Sequence, residues 1–169
     1  MQILDERLVP ADAAARRLRE RYIAARFLQF PQPAQALKNT GNVMRWARQL
    51  LDDDQPRQAS ELLQLALEED LGQQPLWLFL IALAYLANDP GMFVALSDKF
   101  KLRFPTFEGA DVMDSMGRRL QPADPRYAHA AEDFIMPDWS TPESELRDEL
   151  RQQRLHAALV GAMASHSPR

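Results

Sequence analysis

The sequence predicts an all-α fold of antiparallel helical hairpins, and three observations carry that prediction. Ala and Leu occur 24 times each, against 12 for Val, Ile and Thr together and only 6 Gly, a balance that favours helix over sheet. Two segments place apolar residues at offsets 0, 3, 4, 7 and 8, the spacing of one buried helix face. They are Val43, Trp46, Ala47, Leu50 and Leu51, then Ala59, Leu62, Leu63, Ala66 and Leu67. The third is Leu76–Ala87, LWLFLIALAYLA, in which all 12 residues are apolar or aromatic. As a helix it spans about 18 Å, too short to cross a membrane. A helix apolar on every side must be surrounded by protein, so this one is expected at the centre of the core.

The elements follow in order. Asp12 caps a helix through about Leu28, with Ala14, Leu18, Tyr22 and Ala25 at spacings of three and four. Arg16, Arg17, Arg19, Arg21 and Arg26 make it basic. These arginines point to several sides, so the plain reading is a solvated surface, and the sharper one a basic face for nucleic acid or an anionic membrane. Pro31 and Pro33 break the chain. Thr40 or Gly41 opens a second helix, to about Asp53, and the triplet Asp52-Asp53-Asp54 reads as an acidic turn. Pro56 suits the first position of a third helix, for which Gly72 is the expected C-terminal cap. Glu68, Glu69 and Asp70 sit at its C-terminal end, where the dipole disfavours them; a solvated charge cluster is the plain reading and an acidic docking spot the sharper one.

After the central helix and a turn at Asp89-Pro90, a fifth helix runs from about Gly91 to Phe104. Phe93, Leu96 and Phe100 lie inward and Pro105 ends it. Val112, Met113, Met116 and Leu120 suggest a short sixth, with Gly117 its weak point, and a turn of helix is expected around 127–134. Ser140-Thr141-Pro142-Glu143 signals the start of a last helix, to about Ala164, with Glu143–Arg147 and Asp148–Arg151 as ion pairs. Its second half carries Leu155, Ala158, Leu159, Ala162 and Met163 on one side. One domain is expected over 1–164: a capping helix at 12–30, two hairpins at 40–104, short helices and loops at 105–141, a C-terminal helix at 142–164, then a tail at 165–169. The expected core includes Trp46, Leu50, Leu63, Trp77, Leu78, Ile81, Tyr85 and Phe100.

Composition narrows the chemistry. The formal charge of −4 makes no overall case for nucleic acid. With no Cys, disulfides and thiolate metal sites are excluded. Asp5, Glu6 and Arg7 stand where a signal peptide needs an apolar run, so the expected compartment is the cytoplasm. His129, His156 and His166 lack paired spacing for a metal or a catalytic triad. There is no Gly-rich phosphate loop and no GxSxG. Neither an enzyme nor a cofactor or metal is expected.

The two hairpins match each other when shifted by 35 residues. Val43 meets Leu78, Trp46 meets Ile81, Ala47 meets Ala82, Leu50 meets Tyr85 and Asp54 meets Asp89. That period is close to the roughly 34 of tetratricopeptide repeats, and two such units need flanking helices as caps.

The stretch 75–127 carries a family resemblance. Pro75, Trp77, Leu78 and Tyr85 in one helix, Phe93, Phe100 and Phe104 in the next, then Met116, Gly117, Arg118, Leu120, Pro122 and Pro125, resemble the C-terminal tetratricopeptide region of FimV-like bacterial proteins. The resemblance covers about a third of the chain. It implies a cytoplasmic helical region that binds other proteins, in a family linked to the cell pole and type IV pilus assembly. The resemblance does not extend to the family's peptidoglycan-binding module or membrane span, so it implies neither property for this chain.

The expected function is therefore a non-enzymatic scaffold or adaptor that binds another protein's amphipathic helix or peptide, or a second copy of itself. The alternatives are a tetratricopeptide-type secretion chaperone, and a nucleic-acid or membrane binder working through the Arg-rich first helix. By the repeat alignment, the partner groove is lined by Met44, Arg48 and Leu51 in the first unit and Leu76, Phe79, Leu83 and Leu86 in the second. So many large apolar residues are seldom left bare. Their cover is expected to be the chain's own residues 107–164, either Met113–Leu120 or the last helix, or else a partner helix laid in the groove.

Overall fold

A computed structural model describes residues 12–142, 151–152 and 154–161. The architecture is all-α. Its helices are α1 (Ala13–Arg26), α2 (Pro33–Ala36), α3 (Thr40–Asp52), α4 (Pro56–Glu69), α5 (Gln74–Leu86), α6 (Pro90–Arg103) and α7 (Ala110–Leu120), followed by a 3-10 turn at Pro125–Tyr127. There is no strand among the described residues. Residues 151–152 and 154–161 are helical again.

The hairpins α3–α4 and α5–α6 stack, with α7 behind them. Helix α5 packs against α3, α4, α6 and α7. That enclosure explains its composition: Leu76, Trp77, Phe79, Leu80, Ile81, Ala82, Leu83 and Ala84 are all buried. Leu50, Leu63, Ile81 and Phe100 are also in the core as expected, while Trp46, Leu78 and Tyr85 are half-buried against it.

The two hairpin turns fix the repeat register, and it is 34, not 35. Both are Schellman motifs, in which a left-handed residue lets two amides bond back to the last helical carbonyls. Asp54 (φ 58°) and Asn88 (φ 53°) are the left-handed residues. The amide of Asp54 donates to Leu51 O and that of Asn88 to Tyr85 O, each at 3.0 Å. Next, Gln55 N donates to Leu50 O at 2.8 Å and Asp89 N to Ala84 O at 3.0 Å. Pro56 and Pro90 then open α4 and α6 at equivalent first positions. Every pair is 34 residues apart. Matching apolar residues alone slips the alignment by one, because α5 is apolar at almost every position and accepts either register.

Several element ends differ from expectation for local reasons. Helix α4 stops at Glu69 because Asp70 is extended (φ −156°) and its carboxylate closes the turn, accepting from Gly72 N and Gln73 Nε2, both at 2.8 Å. Gly72 is not a left-handed cap. The Gly72 amide and the Gln73 side chain hold the Asp70 carboxyl below its ordinary pKa. Helix α3 opens at Thr40 as expected, capped by Asn39, whose side chain accepts from Asn42 N at 3.0 Å. The chain does break between α1 and α2, and the residues around the break are packed: Phe27, Phe30 and Leu37 are buried, and Phe30 stacks on Trp46 with ring centroids 4.3 Å apart and planes 4° from parallel. The helical turn expected over 127–134 is instead the single 3-10 turn at Pro125–Tyr127. The expected ion pairs Glu143–Arg147 and Asp148–Arg151 and the tail 165–169 lie outside the described residues. No described helix is long and apolar enough to cross a membrane.

Candidate functional site

The expected groove is not open. Met44, Leu76, Phe79 and Leu83 are buried, Arg48 and Leu51 are half-buried, and Leu86 alone is exposed, at 68 %. Two causes combine. The one-residue slip turns α5 by about 100° and brings core positions into the list. In the register set by the turns, the equivalents of Met44, Arg48 and Leu51 are Leu78, Ala82 and Tyr85. The chain then closes over itself. Helix α7 packs on α5 and α6, and Phe134 sets its ring edge-on to Tyr85 at 6.1 Å. Residues 154–161 do not share in that cover, for all of them are exposed, Leu155 and Leu159 included.

The residues of the 75–127 resemblance build this closure. The Trp77 indole N–H donates to the buried carbonyl of Leu71 at 2.9 Å, locking the α4–α5 turn. Phe100 contacts Phe104 and Phe107, at 4.9 and 5.0 Å between centroids, and Phe107 in turn meets Trp139 at 6.3 Å. Gly117 leaves room for the buried Tyr127 ring. The Arg118 guanidinium donates to the carbonyl of Ala130 and pairs with Glu132 at 3.0 Å, while Arg119 lies 5.0 Å over the Phe134 ring. Asp114 binds Lys101 on one oxygen and His129 on the other, at 3.0 Å to the imidazole. Asp138 finishes the return: it accepts from Ser140 N, Ser140 Oγ and Thr141 Oγ1 at 3.0, 2.7 and 2.8 Å. Burial opposes its charge, but these donors prevail and hold its pKa below the ordinary aspartate value.

At the other end of the stack the basic helix is divided between two uses. Helix α1 runs antiparallel along α4. Arg19, with its side chain only 12 % exposed, donates to Glu69 at 2.6 Å, to Leu65 O at 2.9 Å and to Glu68 at 3.2 Å. Glu68 and Glu69 are therefore neither a solvated cluster nor a free docking spot. They anchor α1, and the guanidinium offsets their unfavourable place at a helix C-terminus. Arg26 Nε donates to Glu61 at 2.7 Å, and the Tyr22 hydroxyl donates to the same carboxylate at 2.5 Å. That hydrogen bond, helped by burial, raises the Tyr22 pKa. Gln29 reaches Gln58 at 3.3 Å. So Arg19 and Arg26 leave the expected basic face and serve as fasteners.

Between α1 and α2 lies a cleft of about 800 Å³. Arg16, Arg17, Arg19 and Arg21 line one wall, and Gln32, Gln35 and Lys38 the other, with Pro33, Ala34 and Ala24 between and Glu20 and Glu69 also present. Among the described residues Arg17, Arg21 and Lys38 have no carboxylate partner. No His, Tyr, Phe or Trp lines the cleft. The arginines of the cleft are visible in the sequence but its shape is not, because Gln32 enters α2 in a left-handed conformation (φ 45°) that no spacing announces.

The chain matches no family model, no curated protein and no solved structure. Among the described residues no group of three or more His, Asp or Glu side chains is placed to hold a metal ion.

Proposed function

We propose that this chain is a non-enzymatic protein-interaction module, a scaffold or adaptor. The observation that supports it most is the 34-residue register of the stacked hairpins, since a stack of equivalent hairpins offers an extended surface for a partner. The central apolar face is occupied by the chain's own α7 and Phe134, so the partner meets an outer surface rather than the groove of Phe79 and Leu83. The resemblance over 75–127 suggests the setting: a cytoplasmic hub for pilus or cell-pole assembly. That Arg19 and Arg26 are engaged with α4 weakens the reading of α1 as a nucleic-acid or membrane binder.

The test is affinity capture of the full chain after cross-linking in the source cell, followed by titration calorimetry with each captured protein. One captured protein that binds the purified chain directly at a fixed stoichiometry is the expected result. Capture of nucleic acid alone, or of nothing that rebinds, overturns the reading. Pilus or pole proteins in the captured set would support the narrower setting.

A further inference from the structure

We infer that the α1–α2 cleft binds a short acidic peptide segment of a partner protein, one bearing two or more carboxylates. The inference rests on the protein-interaction reading above and assigns it a site. Three cations without a carboxylate partner among the described residues, Arg17, Arg21 and Lys38, converge on one concave space. Guanidinium groups bind carboxylates in a two-point fork, and an ammonium adds a point charge. Gln32 and Gln35 supply amide donors and acceptors suited to a peptide backbone, and Pro33 and Ala34 an apolar floor. The volume of about 800 Å³ falls within the range of pockets that enclose small ligands.

The same features disfavour the other polyanions. Single-stranded nucleic acid is held by aromatic platforms as well as charge, and none lines this cleft. Glu20 and Glu69 interrupt the basic wall, which a phosphate chain would have to pass and a peptide with spaced carboxylates need not. A bilayer presents a broad surface that cannot enter a concavity.

The arginines are positioned rather than merely present. Arg19 fastens α1 through Glu68 and Glu69, and that contact fixes the direction in which Arg16, Arg17 and Arg21 project. A peptide bound there would bridge α1 and the α2 segment.

The experiment is fluorescence anisotropy of a labelled Glu/Asp octapeptide with the full chain. Expected is saturable 1:1 binding that weakens at least tenfold in Arg17→Glu/Arg21→Glu and also in Lys38→Glu. The latter lies outside α1 and keeps the test valid if the double variant loses its helix. Arg57→Glu/Arg103→Glu, the same charge change at exposed positions elsewhere, should leave binding within twofold. Equal losses in both double variants, or no binding by the unaltered chain, overturn the inference. So does tighter, equally sensitive binding of a dT12 oligonucleotide or of phosphatidylserine vesicles. A dimer by light scattering that Arg17→Glu/Arg21→Glu dissociates overturns it too, by placing a second copy in the cleft. If Arg17→Glu/Arg21→Glu retains the captured partner at full affinity, the cleft assignment fails while the interaction reading stands.

Discussion

The ring of Tyr127 occupies the space that a side chain on Gly117 would need. A Cβ at Gly117 would lie 2.9 Å from the tyrosine hydroxyl oxygen and closer still to two ring carbons. Tyr127 is 3 % exposed, so its rigid ring has nowhere to retreat. Gly117→Ala should cost about 1–3 kcal/mol through overpacking. Urea unfolding measures it, and the cost should shrink in a Tyr127→Ala background, with a coupling of about 0.5–3 kcal/mol. An unaltered midpoint in Gly117→Ala would sink this account of the glycine.

Arg19 is the least exposed of the charged side chains that fasten α1 to α4. Arg19→Met removes charge-assisted bonds to Glu68, Glu69 and the Leu65 carbonyl, each kind worth about 1.5–3 kcal/mol. Local opening is the expected outcome. Amide hydrogen exchange should speed up across Ala13–Arg26 while α5 keeps its protection. Uniform loss in both helices would mean that α1 is not a separable cap.

The two hairpin turns should respond alike. Asp54→Ala and Asn88→Ala each keep a Cβ at positive φ but lose the short polar side chain that eases that conformation, at a cost of up to about 1 kcal/mol. Asp54→Gly and Asn88→Gly relieve that cost. Chemical denaturation of the four variants checks the 34-residue equivalence. A large effect at one turn and none at the other contradicts it.

Substitution also separates core from surface on the central helix. Phe79→Ala should cost about 3–5 kcal/mol, since Phe79 is 1 % exposed. Leu86→Ala, at a residue 68 % exposed, should change stability by about 0.5 kcal/mol or less. Near-equal effects would restore both residues to one exposed groove.

The Asp138 turn makes a pH prediction. Its carboxyl is held below the ordinary aspartate pKa, so folding is favoured by the charged form. That contribution is fully present above the unfolded value, about 3.9, and is lost as pH falls through the lower folded value. The indole resonance of Trp139, next to this turn and against Phe107, should shift over that acid range. In Asp138→Asn the titration should vanish. If it persists, another carboxylate controls the turn.

What the sequence by itself determined was set by period and by local chemistry. The 0, 3, 4, 7, 8 spacing of Val43–Leu51 and Ala59–Leu67 names a buried face whatever packs on it. Pro56 can open a helix and Asp12 can cap one using only their nearest neighbours. The apolar run 76–87 had to be central because no other place satisfies it. Tertiary structure alone decided the rest. A run apolar on all sides has no phase, so the register of α5, and with it which residues face outward, came from the backbone bonds of the turns at Asp54 and Asn88. Glu68 and Glu69 look misplaced until Arg19, some fifty residues earlier, is brought beside them. The division of the arginines into fasteners and cleft cations follows from the same docking. A charge has no direction in a sequence and acquires one only when its helix is packed.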